Sequence, residues 1–189
     1  GGTFAYSSGT PSVISVSGTT LTVVGAGSSV ITATFTPNDT TNYNTATTTM
    51  TVTVGKATPT FSSWSNVSKN FGDSAFTVTA PSVTGSVAGS FTYSSATTSV
   101  ISVSGTTLTV VGAGTSVITA TFTPNDTTNY NSATTTMTVT VGKGSPTFSA
   151  WSNVSKNFGD SAFTVTAPTV TGSLGGTFAY SSGTPSVIS

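Results

Sequence analysis

The chain has 189 residues and no formal net charge, with four lysines, four aspartates and no Arg, Glu, His or Cys. The residue types that most often supply a general base, an activated nucleophile or a metal-ligand set are therefore missing, which argues against an enzyme, a metal centre and a bound cofactor. No basic patch exists to release counterions from nucleic acid, and no run of about twenty apolar residues exists to insert this segment into a membrane.

Self-similarity organises the rest of the sequence. Phe4 recurs as Phe91 and Phe178, Tyr43 as Tyr130, Lys56 as Lys143 and Trp64 as Trp151, a period of 87 residues. Residues 1–15 and 175–189 are identical. The chain divides into residues 1–55, the C-terminal part of one repeat; residues 56–142, a complete repeat; and residues 143–189, the N-terminal part of the next. Each boundary follows a strongly alternating stretch and precedes a proline, Pro59 or Pro146.

Within the complete repeat, residues 60–64 are expected to form a first strand and Phe71-Gly72-Asp73 a turn. Residues 74–80 follow, with Phe76, Val78 and Ala80 on one face; Pro81 and Gly85 end them. Residues 90–94 place Phe91 and Tyr93 inward. A meander comes next, over residues 100–103, 107–111 and 117–122. It is broken at Ser104-Gly105 and at Gly112-Ala113-Gly114, whose glycines can take positive φ. Leu108 and Val110, then Ile118, Ala120 and Phe122, alternate with hydroxyl-bearing residues, the period of two that separates a core face from a wet one. A polar loop over residues 124–131 leads to residues 134–141, with Met137, Val139 and Val141 on one face. About seven short strands without an amphipathic helix predict an all-β fold of tandem β-sandwich domains, in preference to a closed barrel or a solenoid.

Tyr93-Ser94-Ser95, Val100, Val103, Leu108, Val111-Gly112-Ala113-Gly114 and Ile118-Thr119-Ala120, a run that also occurs over residues 6–33, resemble the bacterial immunoglobulin-like (Ig-like) repeats, group 2-like, of intimin- and invasin-type surface proteins. The Lys-Ala-Thr-Pro start at Lys56 and the Asn-Tyr-Asn-Ser-Ala-Thr segment over residues 129–134 are similar to other tandem Ig-like repeats of large secreted bacterial proteins. Related modules decorate virion fibres. The resemblance implies Ig-like sandwiches in an extracellular stalk or fibre, on a cell or virion surface, that displays a distal functional domain. It carries no catalytic residues with it.

Several side chains are candidates for something more specific. Asn38, Asn66, Asn125 and Asn153 each open an Asn-x-Ser/Thr glycosylation pattern. Trp64, Trp151, Tyr43 and Tyr130 are candidates for stacking on glycans, which would make the repeat a carbohydrate-binding adhesin module, or for packing in the core or against a linker. Asp39 and Asp126, each alone in a Pro-Asn-Asp-Thr loop, fall short of the six to eight oxygens a calcium ion takes, so no metal site is assigned. Uncharged edge strands and near-identical neighbours leave two readings open, other copies of the same repeat as partners through lateral or strand-exchange association, or a monomeric string of domains with edges covered by loops.

Overall fold

The computed structural model describes residues 1–172 and 174–187. They divide into two compact units, Gly1–Gly142 and Lys143–Ser189. In the first unit, residues 1–55 form β1 (Gly2–Ser8), β2 (Ile14–Ser17), β3 (Thr20–Val23), β4 (Gly27–Pro37) and β5 (Ala46–Val54). The complete repeat forms β6 (Val67–Asn70), β7 (Phe76–Thr77), β8 (Gly89–Ser95), β9 (Ile101–Ser104), β10 (Thr107–Val110), β11 (Gly114–Pro124) and β12 (Ala133–Gly142). No helix occurs among the described residues.

The complete repeat is an Ig-like β-sandwich of two sheets, one ordered β6-β12-β11-β8 and the other β7-β10-β9. Alternation builds its core. Ile118, Ala120 and Phe122 on β11 and Met137, Val139 and Val141 on β12 are all buried, and Leu108 and Ile101 of the other sheet join Ile118, Met137, Val139 and Val141 in one cluster. The Thr residues between them face outward and keep an uncharged surface wet. One hydroxyl is buried: Ser116 shares a hydrogen bond with Ser95, Oγ to Oγ 2.8 Å, and accepts one from the Thr97 N–H at 3.0 Å. A buried polar atom with two partners avoids the cost of an orphaned one.

Three local expectations are corrected. The first strand is Val67–Asn70, which pairs parallel with β12, Val139 opposite Val67; of residues 60–64, Phe61 alone makes a bridge, to Val83. Only Phe76 and Thr77 of residues 74–80 pair as a strand, with β10; Val78 adds one further bond, its N–H donating to the Thr106 carbonyl at 3.0 Å. The meander is also split. β9 and β10 form a hairpin through Gly105, whose φ of 58° suits the first central position of a two-residue turn, whereas β10 and β11 lie in different sheets. Gly112-Ala113-Gly114 is the crossing between them. Gly114 alone takes positive φ there, 139°; Gly112 is needed for closeness, since a Cβ on it would lie 2.7 Å from the Ser99 carbonyl oxygen.

Residues 1–55 repeat this frame in sheets β1-β4-β5 and β2-β3. Phe4 pairs with Phe35 as Phe91 pairs with Phe122. Strands equivalent to β6 and β7 are not among them, and the core positions show it: Leu108 is 0% exposed and Met137 3%, whereas Leu21 and Met50 are 37% and 50% exposed.

The second unit holds the converse segment. It has a bridge from Phe148 to Val170 and no longer strand pairing among its described residues, and most of its apolar side chains, Trp151, Val154, Phe163 and Val165 included, are exposed.

Candidate functional site at the joint between repeats

The loop between β11 and β12 is organised by Asp126. Its Oδ1 accepts the N–H groups of Thr128 and Asn129 at 3.1 and 3.0 Å, and its Oδ2 accepts the Asn129 side-chain amide at 2.8 Å. These bonds favour the charged form, the Asn129 side chain most, then its backbone N–H, so the carboxyl is held below its usual range; nearby Lys56 adds to the effect. With its NH2 group committed to Asp126, Asn129 presents its carbonyl oxygen outward. That oxygen accepts the N–H of Ala26, in the preceding repeat, at 2.7 Å.

Ala26 lies in the Gly25-Ala26-Gly27 crossing of residues 1–55, the counterpart of Gly112-Ala113-Gly114. The approach is close: a Cβ on Gly25 would lie 3.0 Å from Asn129 Oδ1, as well as 2.8 Å from the Ser12 carbonyl oxygen. The linker is stitched into the same loop. The Ala57 N–H donates to the Asn129 backbone carbonyl at 2.9 Å and the Ala57 carbonyl accepts from the Asn131 N–H at 2.8 Å, forming a parallel bridge with Tyr130, while the Lys56 ammonium donates to the Thr127 carbonyl at 2.7 Å. Pro59, just beyond, is buried. Turn, linker and loop therefore hold one another.

The loop forms without a neighbour. Asp39 accepts from Thr41, Asn42 and the Asn42 side chain at 3.2, 3.1 and 2.8 Å, and its carboxyl is likewise held down. Tyr43 in that loop is 67% exposed, whereas its counterpart Tyr130, beside the linker, is half-buried.

Trp64 lies away from the joint. Its indole N–H donates to the Thr79 carbonyl at 3.0 Å and its ring sits 5.9 Å from that of Tyr93, packed against the core. A groove of about 380 Å³ opens beside it, lined by Ser62, Phe76, Thr77, Val78 and Met137. Trp151 keeps the same bond, to Thr166 at 2.8 Å, but is 53% exposed. Asn38, Asn66, Asn125 and Asn153 are all exposed; the Asn66 carbonyl oxygen accepts the Thr138 N–H at 2.8 Å, tying the start of β6 to β12. No group of three or more Asp, Glu, His or Cys that could hold a metal exists among the described residues.

The sequence did not mark Asn129 as a joint residue. The available signal was the Asp-x-x-Asn spacing in both copies of the loop, since an Asp two or three residues before N–H donors makes a side-chain turn.

No family model and no curated protein matches the sequence. Among solved structures, the crystal structure of human protocadherin-24 EC1-2 is similar, with 12% identity, a TM-score of 0.30, and coverage of 75% of this chain and 82% of that one. The class defined by the two sheets is an Ig-like β-sandwich, present here in tandem.

Proposed function

We propose that the chain is a length of non-enzymatic stalk or fibre on the outside of a cell or virion, which spaces a distal functional domain from its anchor in the manner of bacterial Ig-like surface repeats. The observation supporting this reading is the joint: a preformed Asp126–Asn129 loop caps the preceding repeat at Ala26 and binds the linker within the same few residues. A spacer must resist bending between its units, and a two-sided joint of this kind limits it. The scarcity of charge suits an object whose spacing is indifferent to ionic strength.

Because the chain has no cysteine, single spin labels can be placed cleanly at Thr53→Cys and Thr140→Cys, equivalent exposed positions of successive repeats. Pulsed electron resonance is expected to give a narrow distance distribution that broadens in Asn129→Ala. A broad distribution in the parent chain would refute the stiff spacer.

The groove beside Trp64, with its serine and threonine hydroxyls, supports a second reading as a glycan-binding adhesin module. A glycan array decides it: specific binding lost in Trp64→Ala with folding retained favours the adhesin.

A further inference from the structure

A sheet edge is a row of backbone N–H and C=O groups without partners, and proteins blunt it with short strands, lysine or proline. The complete repeat has such edges at β6, β7, β8 and β9. β7 has two residues and β9 four, and β6 has four with Lys69 among them. β8 is the exception. Its seven residues, Gly89–Ser95, carry neither charge nor proline and hold an unbroken register with β11, from Gly89 opposite Pro124 to Ser95 opposite Ile118. About 23 Å of backbone is left open along it.

The alternation of the β8–β11 ladder fixes which groups are free. The Ala96 N–H donates to the Val117 carbonyl and the Asn125 N–H to the Ala88 carbonyl, each at 2.9 Å. Both pairs continue the β8–β11 register, in which hydrogen-bonded and non-hydrogen-bonded pairs alternate. Ser90, Thr92 and Ser94 therefore turn their backbone groups to β11, and Gly89, Phe91, Tyr93 and Ser95 turn theirs outward. No loop or bridge hydrogen bond reaches the backbone of Phe91 or Tyr93 among the described residues.

The side chains along this edge are arranged about their middle. Ser90-Phe91-Thr92-Tyr93-Ser94 reads nearly the same in both directions, with Thr92 at the centre. An antiparallel mate of the same sequence, related by a two-fold axis at Thr92, sets Phe91 opposite Tyr93, Ser90 opposite Ser94 and Thr92 opposite itself. The outward groups of Phe91 then meet those of Tyr93, the outward groups of Gly89 meet those of Ser95, and every such pair exchanges both bonds. The half-buried rings of Phe91 and Tyr93, 6.2 Å apart and nearly parallel within one strand, gain aromatic partners across the axis, while serines and threonines pair on the outer face. Other registers are worse. A slip of one residue sets outward groups against groups already bonded to β11, and a slip of two sets one ring of each strand opposite Ser95 or Gly89.

We infer that β8 of one copy pairs with β8 of a second copy in this register, giving a two-fold dimer in which the sheets β6-β12-β11-β8 run on as one. With no charge on β8, salt acts little on the contact. The surface lies wholly within the complete repeat and is independent of the joint at Asn129 and of the stalk reading.

The chain has no cysteine, so Thr92→Cys places a single thiol at the axis. Under mild oxidation at high micromolar concentration it is expected to give a disulfide-linked dimer, because non-hydrogen-bonded antiparallel neighbours lie about 4.5 Å apart between Cα atoms, within disulfide reach. Ser94→Cys faces Ser90 of the mate, so alone it is expected to cross-link far more slowly, and mixed with Ser90→Cys it is expected to give the mixed dimer. Sedimentation velocity reads the same contact without thiols. The parent chain is expected to dimerise equally at low and high salt. Thr92→Lys and Thr92→Asp, at an exposed position that leaves the repeat folded, are each expected to weaken the dimer about tenfold or more as like charges meet at the axis, and their mixture is expected to restore it. A parent chain that stays monomeric at high micromolar concentration, equal cross-linking at positions 92 and 94, a dimer that withstands both charged variants, or a mixture no tighter than either variant alone overturns the inference.

Discussion

Leu21 and Leu108 hold the same place in successive repeats, yet Leu108 is fully buried and Leu21 is 37% exposed. The sequence around both is Thr-Leu-Thr-Val, so local preference is equal and only the cover differs. Leu108→Ala is expected to destabilise the complete repeat by about 2–5 kcal/mol, the range for emptying a closed core. Leu21→Ala is expected to cost about 1 kcal/mol or less. Urea unfolding of the two variants measures the contrast; equal losses would contradict the burial difference.

Asn42 and Asn129 offer a second matched pair. Both amides bond their Asp, but only Asn129 accepts from a neighbouring repeat. Asn129→Ala is expected to cost about 1 kcal/mol more than Asn42→Ala, the net value of one hydrogen bond. It is also expected to raise amide hydrogen exchange at Ala26.

Acid sensitivity follows from Asp39 and Asp126, whose carboxyls are held below the usual 3.8 chiefly by the side-chain amides of Asn42 and Asn129. A group depressed in the folded state stabilises the fold above its unfolded value, and that contribution is lost as pH falls through the lower folded one. The melting temperature is expected to be level from about pH 5 to 8, where no histidine titrates, and to fall below about pH 4. Asp126→Asn with Asp39→Asn should flatten the acid limb. A shift of more than a few degrees between pH 5 and 8 would count against this account.

At the alkaline end the sign reverses. Burial pushes the Tyr93 hydroxyl above its usual 10.0, so the folded state keeps its proton longer and stability declines as pH rises past that value. Tyr93→Phe should remove part of the decline, read from unfolding at about pH 9 and 11.

Between about 0.02 and 1 M sodium chloride the midpoint of thermal unfolding is expected to move little, because screening acts on charges and this chain has few.

The strands that carry the core were legible because Ile118-Thr119-Ala120-Thr121-Phe122 and Met137-Thr138-Val139-Thr140-Val141 alternate without a break, and burial follows the alternation residue by residue. β6 was not, since Val67-Ser68-Lys69-Asn70 has one apolar side chain and is a strand only because β12 lies alongside. The crossing at Gly112-Ala113-Gly114 reads like a hairpin turn, because glycines mark a reversal and a change of sheet alike. The joint was hidden for another reason. Ala26 and Asn129 are 103 residues apart, and nothing local at either end names the other.

The Asn66 bond to Thr138, spanning 72 residues, joins the first and last strands of a repeat and has a consequence for synthesis. Closing a loop of that length is entropically slow, and here it waits on the final strand. During translation the N-terminal segment of each repeat emerges first and waits until the frame that it covers has followed. The interval between the two events sets how long each nascent domain stays open to capture by a neighbour.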